Sequence, residues 1–134
     1  DQGARRGIPR REVHADWRRV AELRAVREDR VHVLLDDFVE MGVDILNPVQ
    51  CSAVGMEAET LKERWGDKLT FWGCLGSQST IPFGTPAEIQ AEVRRLCREM
   101  GQGGGYILAP SDHFFDAKVE LLQVFADEAR RCTY

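Results

Sequence analysis

At 134 residues the chain holds one domain at most, large enough for a core of its own but short of the about 250 residues of a closed (β/α)8 barrel. Charged residues at 30% and hydrophobic ones at 43% are ordinary for a soluble globular protein; no apolar run approaches the roughly 18 residues of a membrane span, and no signal peptide opens the chain. The net charge of -4 hides an asymmetry, with nine Arg against six acids in residues 1–30 and nine bases against sixteen acids in residues 31–134.

Residues 1–10 lack periodicity and read as a mobile end. From Glu12 to Glu28 a helix is expected, with Val13, Trp17, Val20 and Leu23 near one face. Together residues 1–30 form an Arg-rich helical or mobile extension. Its acids are interspersed and no aromatic ladder accompanies them, so a solvated helix is expected there, with no nucleic-acid partner. The first residue is Asp1 rather than Met, as a processed or partial chain would have.

The main unit is expected over residues 31–134. Val31, Leu34, Leu35, Phe38 and Val39 recur at helical spacing up to Met41, and Gly42 follows as a stop. A strand over Val43–Asn47 comes next, and Pro48, lacking an amide donor, favours ending the ladder there. The stretch from Gly55 to Trp65 predicts a helix with Met56, Leu61 and Trp65 facing inward, closed by Gly66-Asp67, and Leu69–Gly73 predicts the second strand. Thr85-Pro86-Ala87-Glu88 places Thr at an N-cap, Pro at the first helical position and Glu three residues past the cap, the signature of a capping box. Ile89, Val93, Leu96, Cys97 and Met100 then form one apolar face, and Gly101 ends the helix. Tyr106–Ala109 predicts the third strand. A last helix over Ala117–Arg131, with Asp116 as N-cap, is expected to bury Val119, Leu122, Phe125 and Ala126 or closely neighbouring positions.

Strand and helix alternate three times, which points to an α/β fold. The apolar runs are continuous rather than alternating, as in parallel strands covered on both faces. Ligands in such folds collect at the carboxyl ends of the strands. That places Asn47, Gln50 and Cys51, then Gly73, Cys74, Ser77 and Gln78, then Ser111, Asp112 and His113 on one rim.

Asn47, Gln50 and Gln78 are neutral groups suited to positioning a polar ligand, or else to satisfying loop backbone. Gly73, Gly76 and Ser77 would let backbone amides approach an anion. His113 suits acid–base or anion-binding work because its ordinary pKa lies near neutrality, and Asp112 would orient a partner. Against these stand plainer roles as loop residues, for His113 beside Phe114-Phe115 especially. Cys51, Cys74 and His113 would together make a thiolate–imidazole metal site, though their spacing matches no established one. The four cysteines are far apart in sequence and include no CxxC pair, so a reduced, cytoplasmic state is expected. Cys97 and Cys132 read as plain small side chains of helices. Gly101-Gln102-Gly103-Gly104-Gly105 has the composition of a phosphate cradle but closes a helix and opens a strand, so a tight connection is expected instead.

Several ordered stretches resemble the C-terminal part of the uroporphyrinogen decarboxylase superfamily, which includes corrinoid-dependent methyltransferases. They are Gly42-Val43-Asp44-Ile45-Leu46-Asn47-Pro48-Val49-Gln50, Leu61–Leu69, Phe71-Trp72-Gly73-Cys74-Leu75-Gly76-Ser77-Gln78, Pro82–Glu88, and Gly103–Ser111. The resemblance implies a partial (β/α)8 TIM barrel, about the last three β/α units with an N-terminal helical extension. It implies action on a tetrapyrrole, by decarboxylation of uroporphyrinogen acetate side chains with no cofactor. His113 and Asp112 would stand in catalytic positions, and Asn47, Gln50, Gly73, Cys74, Ser77, Gln78 and Ser111 would bind substrate. The alternative within the superfamily is corrinoid-linked methyl transfer, the only reading that brings in zinc, although residues 26–30 lack the His-x-Cys ligands of that branch. A third reading is a non-catalytic half-barrel that dimerises or docks on its missing half, since open strand edges seek partners.

Overall fold

The computed structural model describes residues 28–113 and 116–133, the side chains of 28–30 excepted. The helix expected over residues 12–28 lies outside them, but for Glu28. Where one helix is expected from Val31 to Met41, a 3-10 helix over Glu28–Leu34 leads into α1, Leu35–Glu40. Leu34 at the N-cap offers no side-chain hydrogen bond, so the opening turn stays tight. Leu35 and Phe38 are buried. Gly42, at φ +81°, closes the helix. Its N–H donates to the Val39 carbonyl at 3.0 Å and that of Val43 to the Phe38 carbonyl at 3.0 Å, the paired bonds of a Schellman stop.

The remaining elements follow in order: β1 (Ile45–Val49), α2 (Ala58–Trp65), β2 (Thr70–Leu75), α3 (Thr80–Phe83), α4 (Pro86–Gly101), β3 (Tyr106–Pro110) and α5 (Val119–Arg131). The strands form one parallel sheet in the order β1-β2-β3. This is a mixed α/β unit of three consecutive β/α pieces.

Pro48 does not end β1. The strand runs on to Val49, with a cis Asn47–Pro48 peptide and a register shift between Leu46 and Val49. An edge strand tolerates a residue with no donor in this way, because only one side of its ladder is used.

In cross-strand register, Leu46 lies beside Phe71 and Phe71 beside Tyr106, all three buried in the core. Against this face pack Leu61 and Trp65 of α2 and Ile89, Val93, Leu96 and Met100 of α4, each essentially inaccessible. The Thr85–Glu88 capping box forms as its spacing predicts: the Glu88 N–H donates to Thr85 Oγ1 at 3.3 Å, and the Thr85 N–H to Glu88 Oε2 at 2.7 Å.

Continuous apolar strands led us to expect cover on both faces, and the second face differs. Ile45, Trp72 and Ile107 point away from the core and retain 49%, 42% and 38% of their surface. The described helical core residues do not bury these three positions fully, and Ile107 also lines a cleft with Ala129, Cys132 and Thr133 at the end of the last helix.

The last helix starts at Val119 with Lys118 as its cap, rather than at Ala117 after Asp116. Val119 is exposed, contrary to the burial expected of it. The helix packs on α4 and α3 through half-buried Leu121, Leu122, Val124 and Phe125, and it buries Glu128. No helix among the described residues is long and apolar enough to cross a membrane.

Candidate functional site at the carboxyl rim of the sheet

Parallel pairing brings the carboxyl ends of all three strands to one edge, and the close approach there is built from backbone. Gly73 adopts φ +132°, and a Cβ at this position would lie 2.7 Å from the Val49 carbonyl oxygen and 2.9 Å from the Val49 nitrogen. Only glycine fits between the strands here. The Tyr106 hydroxyl donates to the Gly73 carbonyl at 3.1 Å and pins the turn from the β3 side. Cys74 follows at φ +72°, a left-handed conformation that side-chain-bearing residues seldom adopt. This reversal carries the Cys74 thiol into the core, with Cys51 as its neighbour. That contact first, and burial second, push the Cys74 thiol far above its ordinary value, and weaker pulls from Tyr106 and Arg95 do not offset them. Burial and the upward shift both disfavour the thiolate that a nucleophilic role for Cys74 would need.

Ser77 and Ser111 come from different strand ends yet meet in the interior. Their hydroxyls lie 3.2 Å apart, the Ser77 N–H donates to Ser111 Oγ at 3.4 Å, and the Ser111 N–H donates to the Leu75 carbonyl at 2.7 Å. Both are buried, so these groups stitch the β2 and β3 loops together, and their backbone shapes the rim from beneath. Gln50 is half-buried and donates to Ser52 Oγ at 3.1 Å, while Asn47 and Gln78 are exposed on the rim.

Asp112 and His113 form a local pair. Asp112 Oδ1 accepts from the His113 N–H at 2.7 Å and lies 3.0 Å from His113 Nδ1. The carboxylate thus orients the imidazole, whose side chain is 86% exposed at the rim.

The structure brings together Cys51 with Cys74, Ser77 with Ser111, and Asp112 with His113. It does not bring His113 to the two thiols. Among the described residues no group of three or more His, Cys, Asp or Glu is arranged to hold a metal ion. A zinc centre needs at least three protein ligands, so the donors at this rim do not fit one.

Two features escape a reading of sequence alone. Tyr106 anchors Gly73, and the one available signal is that a tyrosine on the core side of a strand must find a partner for its hydroxyl. Val54, in the loop after β1, and Phe83, at the end of α3, are exposed apolar side chains in the connections that follow β1 and β2. Comparison of the chain with protein-family models, curated proteins and solved structures returns no match.

Proposed function

We propose that this chain is the C-terminal part of a uroporphyrinogen decarboxylase-type barrel, and that its rim receives a tetrapyrrole whose acetate side chains lose CO2. The observation that carries this reading is the open apolar sheet face of Ile45, Trp72 and Ile107, adjoining a polar rim with an exposed Asp112–His113 pair. A tetrapyrrole is a broad, apolar macrocycle edged with carboxylates, and it asks for that combination. The macrocycle lies along the apolar face, and His113 and the rim amides take its carboxylates. Decarboxylation breaks the bond between the methylene and carboxylate carbons, and a proton replaces the departing CO2 to leave a methyl group. On this reading the present residues bind and orient the substrate. The family's catalytic aspartate has no counterpart in the matched stretches.

Corrinoid-linked methyl transfer draws no support from the rim. Residues 26–30 lack that branch's His-x-Cys ligands, and among the described residues no three donors are grouped to hold a metal.

The same bare face favours one second reading, a non-catalytic half-barrel that covers Ile45, Trp72 and Ile107 with a second copy of itself. Light scattering separates the two: a dimer that survives dilution supports self-association, and a monomer removes it.

The tetrapyrrole reading is tested by titrating the chain with uroporphyrin and following tryptophan emission. Trp72 is on the open face whereas Trp65 is buried, so saturable quenching that largely disappears in Trp72→Phe is the expected result. Quenching that does not saturate, or that survives this substitution unchanged, overturns the reading. Hydroxocobalamin serves as the comparison ligand, and tighter binding of the corrin would favour the methyltransferase branch.

A further inference from the structure

Cys97 and Cys132, 35 positions apart in sequence, meet at one cleft on the face opposite the rim. The cleft measures about 630 Å³ and lies where the C-terminal ends of α4 and α5 come together. Its walls include Arg94, Arg98 and Arg131 besides the two thiols. Cys97 is buried, Cys132 is half-buried at the cap of α5, and both side chains line this cleft. Neither helix packing nor the candidate rim site accounts for three guanidinium groups around a thiol pair.

The charges facing the pair are readily named. Arg94 donates to Glu128 Oε1 at 2.6 Å, and Arg131 lies 3.5 Å from Glu128 Oε2. Arg98 is exposed in the same wall and forms no ion pair among the described residues. One buried carboxylate against three guanidiniums leaves the cleft positive. A positive, partly exposed setting attracts anionic reagents.

We propose that Cys132 and Cys97 form a thiol–disulfide exchange site, whose arginine-walled cleft receives an anionic low-molecular-weight disulfide such as oxidised glutathione. The two thiols have unequal roles. Cys132, the accessible one, attacks as thiolate on one sulfur of the disulfide; the S–S bond of the reagent breaks, and one reagent thiolate leaves. The mixed disulfide now holds the second half of the reagent on Cys132. Cys97 then loses its proton to solvent and attacks Cys132 Sγ, which expels the second reagent thiolate. In sum, two protein thiols lose two electrons and two protons to become one disulfide, and one reagent disulfide becomes two thiols. Burial and the neighbouring Cys132 push the Cys97 thiol up to about 12, which suits a group that resolves an adduct already in place and does not initiate attack. The product covalently ties the end of α5 to α4.

Oxidised glutathione added to the full chain under non-denaturing conditions, followed by mass-spectrometric peptide mapping without reduction, tests the proposal. The expected sequence is a transient glutathione adduct on Cys132 and then a Cys97–Cys132 cross-link. In Cys97→Ser the adduct accumulates instead of resolving; in Cys132→Ser, Cys97 stays unmodified. Cystamine, a cationic disulfide, is expected to react several-fold more slowly than oxidised glutathione with the wild-type chain, and Arg98→Ala is expected to narrow that difference. A wild-type map in which Cys51 or Cys74 reacts first, in which the Cys132 adduct never resolves, or in which the two reagents react alike overturns it. The wild-type map needs no variant to fold, and it is read independently of any tetrapyrrole binding.

Discussion

Gly73→Ala against Gly103→Ala separates the cost of a positive φ from the cost of crowding two strands. Both glycines have φ above zero, +132° and +78°, but a Cβ at Gly103 meets nothing within 4 Å, whereas one at Gly73 meets Val49 backbone at 2.7 and 2.9 Å. For Gly103→Ala the left-handed penalty of about 1–2 kcal/mol, less the entropy gain from a stiffer unfolded chain, leaves a net loss of about 1 kcal/mol. At Gly73 the backbone lies outside even the left-handed helical region, in territory where a side chain costs up to about 3 kcal/mol. Displacing a neighbouring backbone adds the roughly 1–3 kcal/mol typical of overpacking, for a total of up to about 6 kcal/mol. Tyr106 also loses a well-placed acceptor when the Gly73 carbonyl shifts. Thermal unfolding of the two variants is the assay. At about 3 °C per kcal/mol for a chain of this length, the Gly73 variant is expected to melt below the Gly103 variant by up to ~15 °C. Equal midpoints would refute the claim that the rim depends on this backbone contact.

Three further outcomes follow from other contacts. Trp65→Phe removes the 2.8 Å bond from Nε1 to Asp36 Oδ1 that joins α2 to α1, and thermal unfolding should register a loss of about 1 kcal/mol or more. Oxidising Cys97 and Cys132 closes a loop of about 35 residues, which stabilises by about 4 kcal/mol and should raise the melting temperature by about 10 °C, reversibly on reduction. Glu128 is held below its ordinary value of 4.5, first by its hydrogen bond from Arg94. A depressed carboxylate contributes stability above its unfolded value and loses it as pH falls through the folded one. Stability should therefore decline below about pH 4.5, and in Glu128→Gln this acid decline should be shallower, as read from denaturant midpoints across pH.

Local chemistry was the part of the fold most legible in the sequence. Thr85, Pro86 and Glu88 announce their helix start because a capping box needs only contiguous residues, and Ile89, Val93, Leu96 and Met100 mark the buried face by period alone. Gly42 gave the stop of α1 for the same reason. Pro48 misleads because a missing donor ends a central strand but not an edge strand, and edge position is a property of the sheet. Val119 misleads because apolar periodicity shows which residues share a face, not which turn of the helix is covered. At the candidate site, the rim positions follow from strand order, but the partnerships there do not. Ser77 with Ser111, Cys51 with Cys74, and Cys97 with Cys132 are joined only by parallel register and helix packing, across 23 to 35 positions of sequence. The continuous apolar runs gave no warning that Ile45, Trp72 and Ile107 face outward, because an uncovered parallel sheet and a covered one share the same composition.

The central claim, a tetrapyrrole seated on the bare sheet face with its carboxylates at the rim, is met most directly by an amide and indole NMR titration of the labelled chain with uroporphyrin. The ring current of the macrocycle shifts nuclei close to it and leaves distant ones in place. The account predicts saturable shifts at the Trp72 indole and the amides of Asn47, Gln50, Gly73, Ser77 and His113, with the Trp65 indole and the amides around Cys97 unmoved. Shifts clustered on the far side of the helices, or none beyond those that buffer alone produces, would contradict it.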